Sequence, residues 1–188
     1  MQKNLIVAGR GYGKTYKALQ HLKFSGCVSV AVVCASHNQF NWIQSKISED
    51  IYPQNRFIKT RDDMRVVDGE GNAIASYMFF SSLSPERLRG KAGKFNGLFL
   101  YDIGGWNQDN GIDLITQAYI ATEDTGIVVA TSLEKTSDML RVLLKDKEYF
   151  CDTEGTRTDR RFLLCDNWGR AAGNLQDMTL LEMRDIYE

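Results

Sequence analysis

The 188 residues carry 23 Lys and Arg against 24 Asp and Glu, a net charge of −1, so no global basic field marks the chain for nucleic acid. Hydrophobic residues at 43% and charged residues at 25% are ordinary globular values; they exclude a disordered chain and suit one domain with a substantial core, expected to span 1–188. No apolar run nears 18 residues and no signal peptide opens the sequence, so neither secretion nor membrane spanning is expected.

Leu5 to Ala8 reads as a buried strand that runs directly into Gly9-Arg10-Gly11-Tyr12-Gly13-Lys14-Thr15. The phosphate-loop pattern is Gly, four residues, then Gly-Lys-Ser or Gly-Lys-Thr, and Ala8 leaves the match one substitution short. Gly9, Gly11 and Gly13 supply the permissive backbone. Such a loop turns its N–H groups inward as an anion nest, and the next helix, predicted from Lys14 to Leu22 or Lys23, aims its positive end at the same point. Lys14 would reach the β- and γ-phosphates of a nucleotide, and the Thr15 hydroxyl would hold Mg²⁺. With four residues before the first strand, an upstream base-binding segment is not expected.

After Gly26, the run from Cys27 to Cys34 reads as a fully buried strand, and Gln39 to Glu49 as a helix with Phe40, Ile43 and Ile47 on one face. Trp42 is read as packing rather than as a stacking surface. Arg56 to Lys59 suits a short strand. Met64 to Val67 and Ala73 to Phe80, joined by Asp68-Gly69-Glu70-Gly71-Asn72, form a hairpin with a five-residue turn. Ser84-Pro85 predicts an N-capped helical turn. The basic stretch after it, Arg87, Arg89, Lys91 and Lys94, suits a solvated turn or a contact with DNA equally well; Arg157, Arg160 and Arg161 are a second basic candidate.

Gly97 to Asp102 is four apolar residues flanked by Gly and closed by an acid, the pattern of a Walker B strand. Asp102 would lie beside the phosphate loop and hold the Mg²⁺ shell through water. In many hydrolysing relatives of such strands a Glu follows and activates water. Here Ile103 stands there, so turnover is expected to be slow, absent, or dependent on a partner or another acid such as Asp109. Asn107 to Asn110 is read as a loop, 111–122 as a helix with Ile112, Ile115, Ala118 and Tyr119 on one face, and Gly126 to Thr131 as a buried strand ending Thr131-Ser132. A helix capped by Thr136 or Ser137, a strand over 162–165 and a last helix over 178–187 complete the chain. Cys27, Cys34, Cys151 and Cys165 have no CxxC spacing and are read as buried or free thiols.

Strands alternating with helices predict an α/β fold, a mostly parallel sheet with helices on both faces and a hairpin insertion before the Walker B strand. Together the motifs resemble the ATPase domain of the large terminase subunit of tailed bacteriophages. The match is carried by Gly9 to Thr15, by Ser84 to Gly90, by Leu98 to Trp106, and by Val128 to Ser132, which is similar to that family's coupling motif. Asn174-Leu175 before the last helix is a weaker echo.

The resemblance implies a P-loop ATPase that drives double-stranded DNA into a procapsid, using ATP and Mg²⁺. It implies that Arg10 contacts the γ-phosphate, with Lys14 and Asp102 in catalysis. Gly9 to Thr15 would bind the nucleotide, with Thr15 and Asp102 at the metal and Thr131 and Ser132 sensing the γ-phosphate. It also implies a portal protein, a small terminase subunit and a working homo-oligomeric ring as partners, in the cytoplasm of an infected bacterium and transiently on the procapsid portal. That family's nuclease domain is not expected within the 188 residues. The alternatives are a nucleotide-binding module silenced by Ile103 and a P-loop kinase or unrelated NTPase.

Overall fold

A computed structural model gives the fold and describes residues 2–7, 13–106, 108–132 and 162–164. Eight strands form a single sheet in the order β3-β4-β5-β2-β6-β7-β1-β8. The strands are β1 (Gln2–Val7), β2 (Ser29–Cys34), β3 (Arg56–Lys59), β4 (Asp63–Val67), β5 (Ala73–Ser81), β6 (Phe95–Leu100), β7 (Thr122–Ser132) and β8 (Phe162–Leu164). From β5 to β8 every pairing is parallel; β3 and β4 add antiparallel strands at one edge.

The helices are α1 (Lys14–Phe24), α2 (Asn38–Lys46) and α3 (Gln108–Ala121). The connection from β1 to β2 through α1 steps one way across β7 and β6, whereas β6 to β7 through α3 steps back. Right-handed crossovers therefore set α1 and α3 on opposite faces, as the alternating pattern predicts. Leu19 and Leu22 of α1, Phe40 and Ile43 of α2, and Leu114 and Ala118 of α3 are fully or almost fully buried against a sheet centred on Val30 to Val33 and Leu98 to Leu100.

The sequence-derived hairpin is present: Asp68 accepts the N–H groups of Glu70 and Asn72 at 2.9 and 2.8 Å and closes the turn between β4 and β5. Its second strand is more than an insertion, because β5 pairs in parallel with β2 from Ser29↔Ser76 to Cys34↔Ser81. Several boundaries shift. Strand β7 begins at Thr122 and α3 at Gln108, so Gln108 to Asn110 are helical rather than loop. Helix α2 ends in a π-helical turn over Ile47–Ile51, where the Tyr52 N–H donates to Ile47 O at 3.0 Å. The turn over Pro85–Leu88 is 3-10, and Ser84 makes no side-chain cap. The helices expected after Thr136 and over 178–187, together with Cys151, Cys165 and the Arg157 to Arg161 cluster, lie outside the described residues.

Candidate functional site

Strand β1 delivers the chain to the C-terminal edge of the sheet. Gly9 to Tyr12, Arg10 included, lie outside the described residues. Gly13 precedes α1 with φ 74°, a left-handed conformation in which an L side chain would be strained. Its carbonyl accepts the Lys17 N–H at 2.9 Å, which starts the helix. No side chain caps this end and no acidic residue sits in the first turn, while His21 and Lys23 sit in the last. The N–H groups and positive dipole of α1 are therefore left for a ligand.

Gly13, Lys14, Thr15 and Tyr16 form one wall of a cleft of about 670 Å³, and Asp102 and Tyr101 lie at its sheet end. The opposite wall is α2, which contributes Gln39, Trp42 and Lys46, with Asp50 from the π-helical turn that follows it. Thr15 is buried and Lys14 half-buried. Lys23 ties the two walls together: its Nζ donates to Ile51 O at 2.7 Å and stands over the Tyr52 ring at 4.4 Å.

Asp102 is not on a strand adjacent to β1. Strand β7 lies between β6 and β1, so one strand separates the end of β6, where Asp102 follows, from the end of β1. That strand supplies the next contact: the Asp102 N–H donates to Thr131 Oγ1 at 3.1 Å. Asp102 has φ 49°, the one non-glycine positive φ among the described residues, a conformation Asp tolerates better than most residues. The turn that follows is fastened by the Gly105 N–H on Asp102 O at 3.0 Å and by the Trp106 indole N–H on Tyr101 O at 3.2 Å. Within that turn Ile103 is fully buried and faces the core, away from the cleft. The Ser132 hydroxyl, beside Val7 at the end of β1, is buried with no hydrogen-bond partner among the described residues.

The structure thus brings Gly13, Lys14, Thr15 and Asp102 into one cleft and sets Thr131 behind Asp102. Trp42 packs on Tyr101 with ring centroids 5.6 Å apart, as read from the sequence, and at 44% exposure it also lines the cleft. Sequence reasoning passed over Gln39, Lys46 and Asp50. They recur with Trp42 at helical spacing, a stripe flanking the buried one of Phe40, Ile43 and Ile47, which is the signal that marks them. Lys46 and Asp50 form an i,i+4 ion pair at 3.1 Å. The basic stretch divides: Arg87 pairs with Asp62 at 3.1 Å and Arg89 with Asp113 at 3.8 Å, whereas Lys91 and Lys94 line a second cleft. Cys27 and Cys34 are buried free thiols, and burial pushes Cys27 up to about 11. No described helix is long and apolar enough to cross a membrane.

No family model and no curated protein matches the sequence. Solved structures do match. The ATPase domain of the large terminase of Thermus phage P74-26 is 15% identical, with a TM-score of 0.58 over 100% of this chain and 88% of that one. The large terminase of another thermophilic bacteriophage, solved in complex with ADP, is 8% identical with a TM-score of 0.57, over 98% of this chain and 44% of that one. The C-terminal domain of a possible DNA helicase from a Lactobacillus is 8% identical with a TM-score of 0.50, over 87% of this chain and 85% of that one.

Proposed function

We propose, from a fold shared with phage large terminase ATPase domains, that this chain binds and hydrolyses ATP as the motor domain of a large terminase and drives double-stranded DNA into a procapsid. One observation carries the reading. The uncapped N-terminus of α1, with Gly13, Lys14 and Thr15, opens into the same cleft as Asp102. Lys14 binds the β- and γ-phosphates, with the backbone of Gly9, Gly11 and Tyr12 around them and Arg10 toward the γ-phosphate. The Thr15 hydroxyl and the Asp102 carboxylate are hard oxygen donors in one cleft and suit Mg²⁺, with Asp102 acting through water. Bound there, the ion would offset charge on the phosphates. Thr131 holds Asp102 in place, and Ser132 offers a free hydroxyl next to the phosphate loop. Portal protein, small terminase subunit and a homo-oligomeric ring are the partners this reading requires, in the cytoplasm of an infected bacterium. The nuclease step would be supplied from outside residues 1–188.

A second reading is a nucleotide-binding module without turnover. It is favoured by the cleft's carboxylates: Ile103 is buried, and of the two acids lining the cleft Asp50 is paired with Lys46. Steady-state hydrolysis with Mg²⁺, measured beside binding of a labelled ATP analogue, separates the two. Binding with turnover is expected; binding without it assigns the silent module. Lys14→Ala is the control. Loss of its charge-assisted hydrogen bonds, each about 1.5–3 kcal/mol, is expected to weaken analogue binding about 100-fold, and unchanged affinity would remove the cleft from consideration.

A further inference from the structure

A second cleft, about 400 Å³, opens at the opposite edge of the sheet, where β2, β5 and β6 begin. Arg65, Lys91 and Lys94 line it, with Asp63, Ser76 and Met78 on its strand face. Three cations meet one carboxylate. Arg87 and Arg89, from the same basic stretch, are each engaged by a carboxylate, but none of Arg65, Lys91 and Lys94 is in an ion pair among the described residues.

The lysines ride on a built loop. Gly90 and Gly93 have φ 75° and 64°, so the turn uses backbone conformations that other residues adopt at a cost. The Lys91 N–H donates to Leu88 O at 3.2 Å, and the N–H groups of Gly93 and Lys94 donate to Ile120 O and Ala121 O at 3.3 and 3.1 Å. The loop is thereby pinned on the end of α3. Ser29 Oγ donates to Lys94 O at 3.0 Å and fastens it to β2. Arg65 stands across from it on β4, in register with Ser76. Three unneutralised cations held on backbone that is itself fixed lose little freedom when they meet an anion, which a floppy lysine tail cannot offer.

We infer that this cleft is a docking site for the phosphate backbone of duplex nucleic acid, gripped by Arg65, Lys91 and Lys94 without reading sequence. That the polymer is DNA rests on the packaging reading above; the cleft itself does not. The cleft lies one length of β6, about 20 Å at the usual rise, from Asp102, so the loop carrying Lys91 and Lys94 runs straight into the strand that ends at the nucleotide cleft.

The test is anisotropy of a fluorescein-labelled duplex of about 30 base pairs with the full chain, titrated between about 50 and 200 mM salt. Three neutralised phosphates give a log–log slope near −2.7, an affinity loss of about 40-fold over that range. Lys91→Gln/Lys94→Gln is expected to reduce the slope by about 1 per cation removed, and adding Arg65→Gln to bring it near zero. Arg87→Gln/Arg89→Gln is expected to leave it unchanged. All of these positions except Lys91 are exposed, and circular dichroism checks that each variant is folded. The proposal is overturned if the Arg87/Arg89 variant takes the slope and the Lys91/Lys94 variant does not. It is also overturned if the wild-type chain binds no duplex at the lowest salt, or if labelled polyglutamate of equal charge binds more tightly than the duplex, which would assign the cleft to an acidic protein. Labelled-analogue binding, run on the same samples, reports the nucleotide cleft separately, so failure of one reading is not mistaken for failure of the other.

Discussion

The hydroxyl of Thr131 accepts the backbone N–H of Asp102 at 3.1 Å, and that bond ties the acid just after β6 to β7, the strand that lies beside β1. Thr131 is fully buried, so water cannot replace the bond. Thr131→Val keeps the shape and removes the acceptor. An orphaned N–H at a residue already in a left-handed conformation is expected to cost about 1–3 kcal/mol. Chemical denaturation should show that loss, and, on the proposed function, turnover should fall by more than analogue affinity does, because the N-terminus of α1 is untouched. Equal losses in both would place Thr131 in general stability alone.

Ile103→Glu tests what the cleft lacks. The side chain at 103 is buried in the core, so a carboxylate there is desolvated before it can meet a water molecule in the cleft. An uncompensated buried charge is expected to cost about 3–5 kcal/mol, seen as a lower denaturation midpoint, with no gain in hydrolysis. A marked gain in hydrolysis would show that the turn after β6 can swing the residue into the cleft.

Gly97→Ala addresses the middle of the sheet. A Cβ at Gly97 would sit 2.9 Å from Cys27 Cβ and 3.1 Å from both Cys27 Sγ and Val30 Cγ2. The loss expected for such overpacking is about 1–3 kcal/mol, and Cys27→Ala in the same chain should recover part of it, since it removes the sulfur though not the Cβ. Calorimetry on the single and double variants gives both numbers.

His21 makes stability depend on pH. Burial lowers its pKa below the ordinary 6.5, and its Nε2 lies 3.2 Å from the Asn4 amide nitrogen, a contact the neutral ring can accept and the imidazolium cannot. A histidine with a depressed folded pKa contributes stability above its unfolded pKa. That contribution is lost as pH falls through 6.5 and then through the folded value, because the unfolded chain takes up the proton first. Melting temperature should therefore drop below about pH 6.5, and His21→Gln should flatten that part of the profile.

Much of this was legible because local chemistry repeats fold-level demands. Val30 to Cys34 is β-branched and apolar and is a central strand; Asp68 to Asn72 is turn chemistry and is a turn. The Gly-Lys-Thr sequence and the apolar run closing at Asp102 placed two walls of the cleft. Pairing was not legible: nothing in Ala73 to Ser81 says that its strand joins β2 in parallel, nor does Thr122 to Ser132 say that it lies between β1 and β6. The third wall was missed for a related reason. Gln39, Lys46 and Asp50 look like the solvated side of α2 until the tie from Lys23 to Ile51 brings that side against α1. The direction of Ile103 depended on a backbone angle at Asp102, which sequence spacing does not carry.

The position of β1 also sets an order of assembly. Its partners are β7 and β8, with Gln2 opposite Ile127 and Leu5 opposite Phe162, and among the described strands none from β2 to β6 pairs with it. Strands β2 to β6 can pair among themselves as they emerge from the ribosome, while β1, made before them, waits for β7 and β8 to arrive. A cleft built from α1, α2 and the end of β6 therefore closes only on a chain whose late strands are already in place, and a ligand bound there would select for completed sheets.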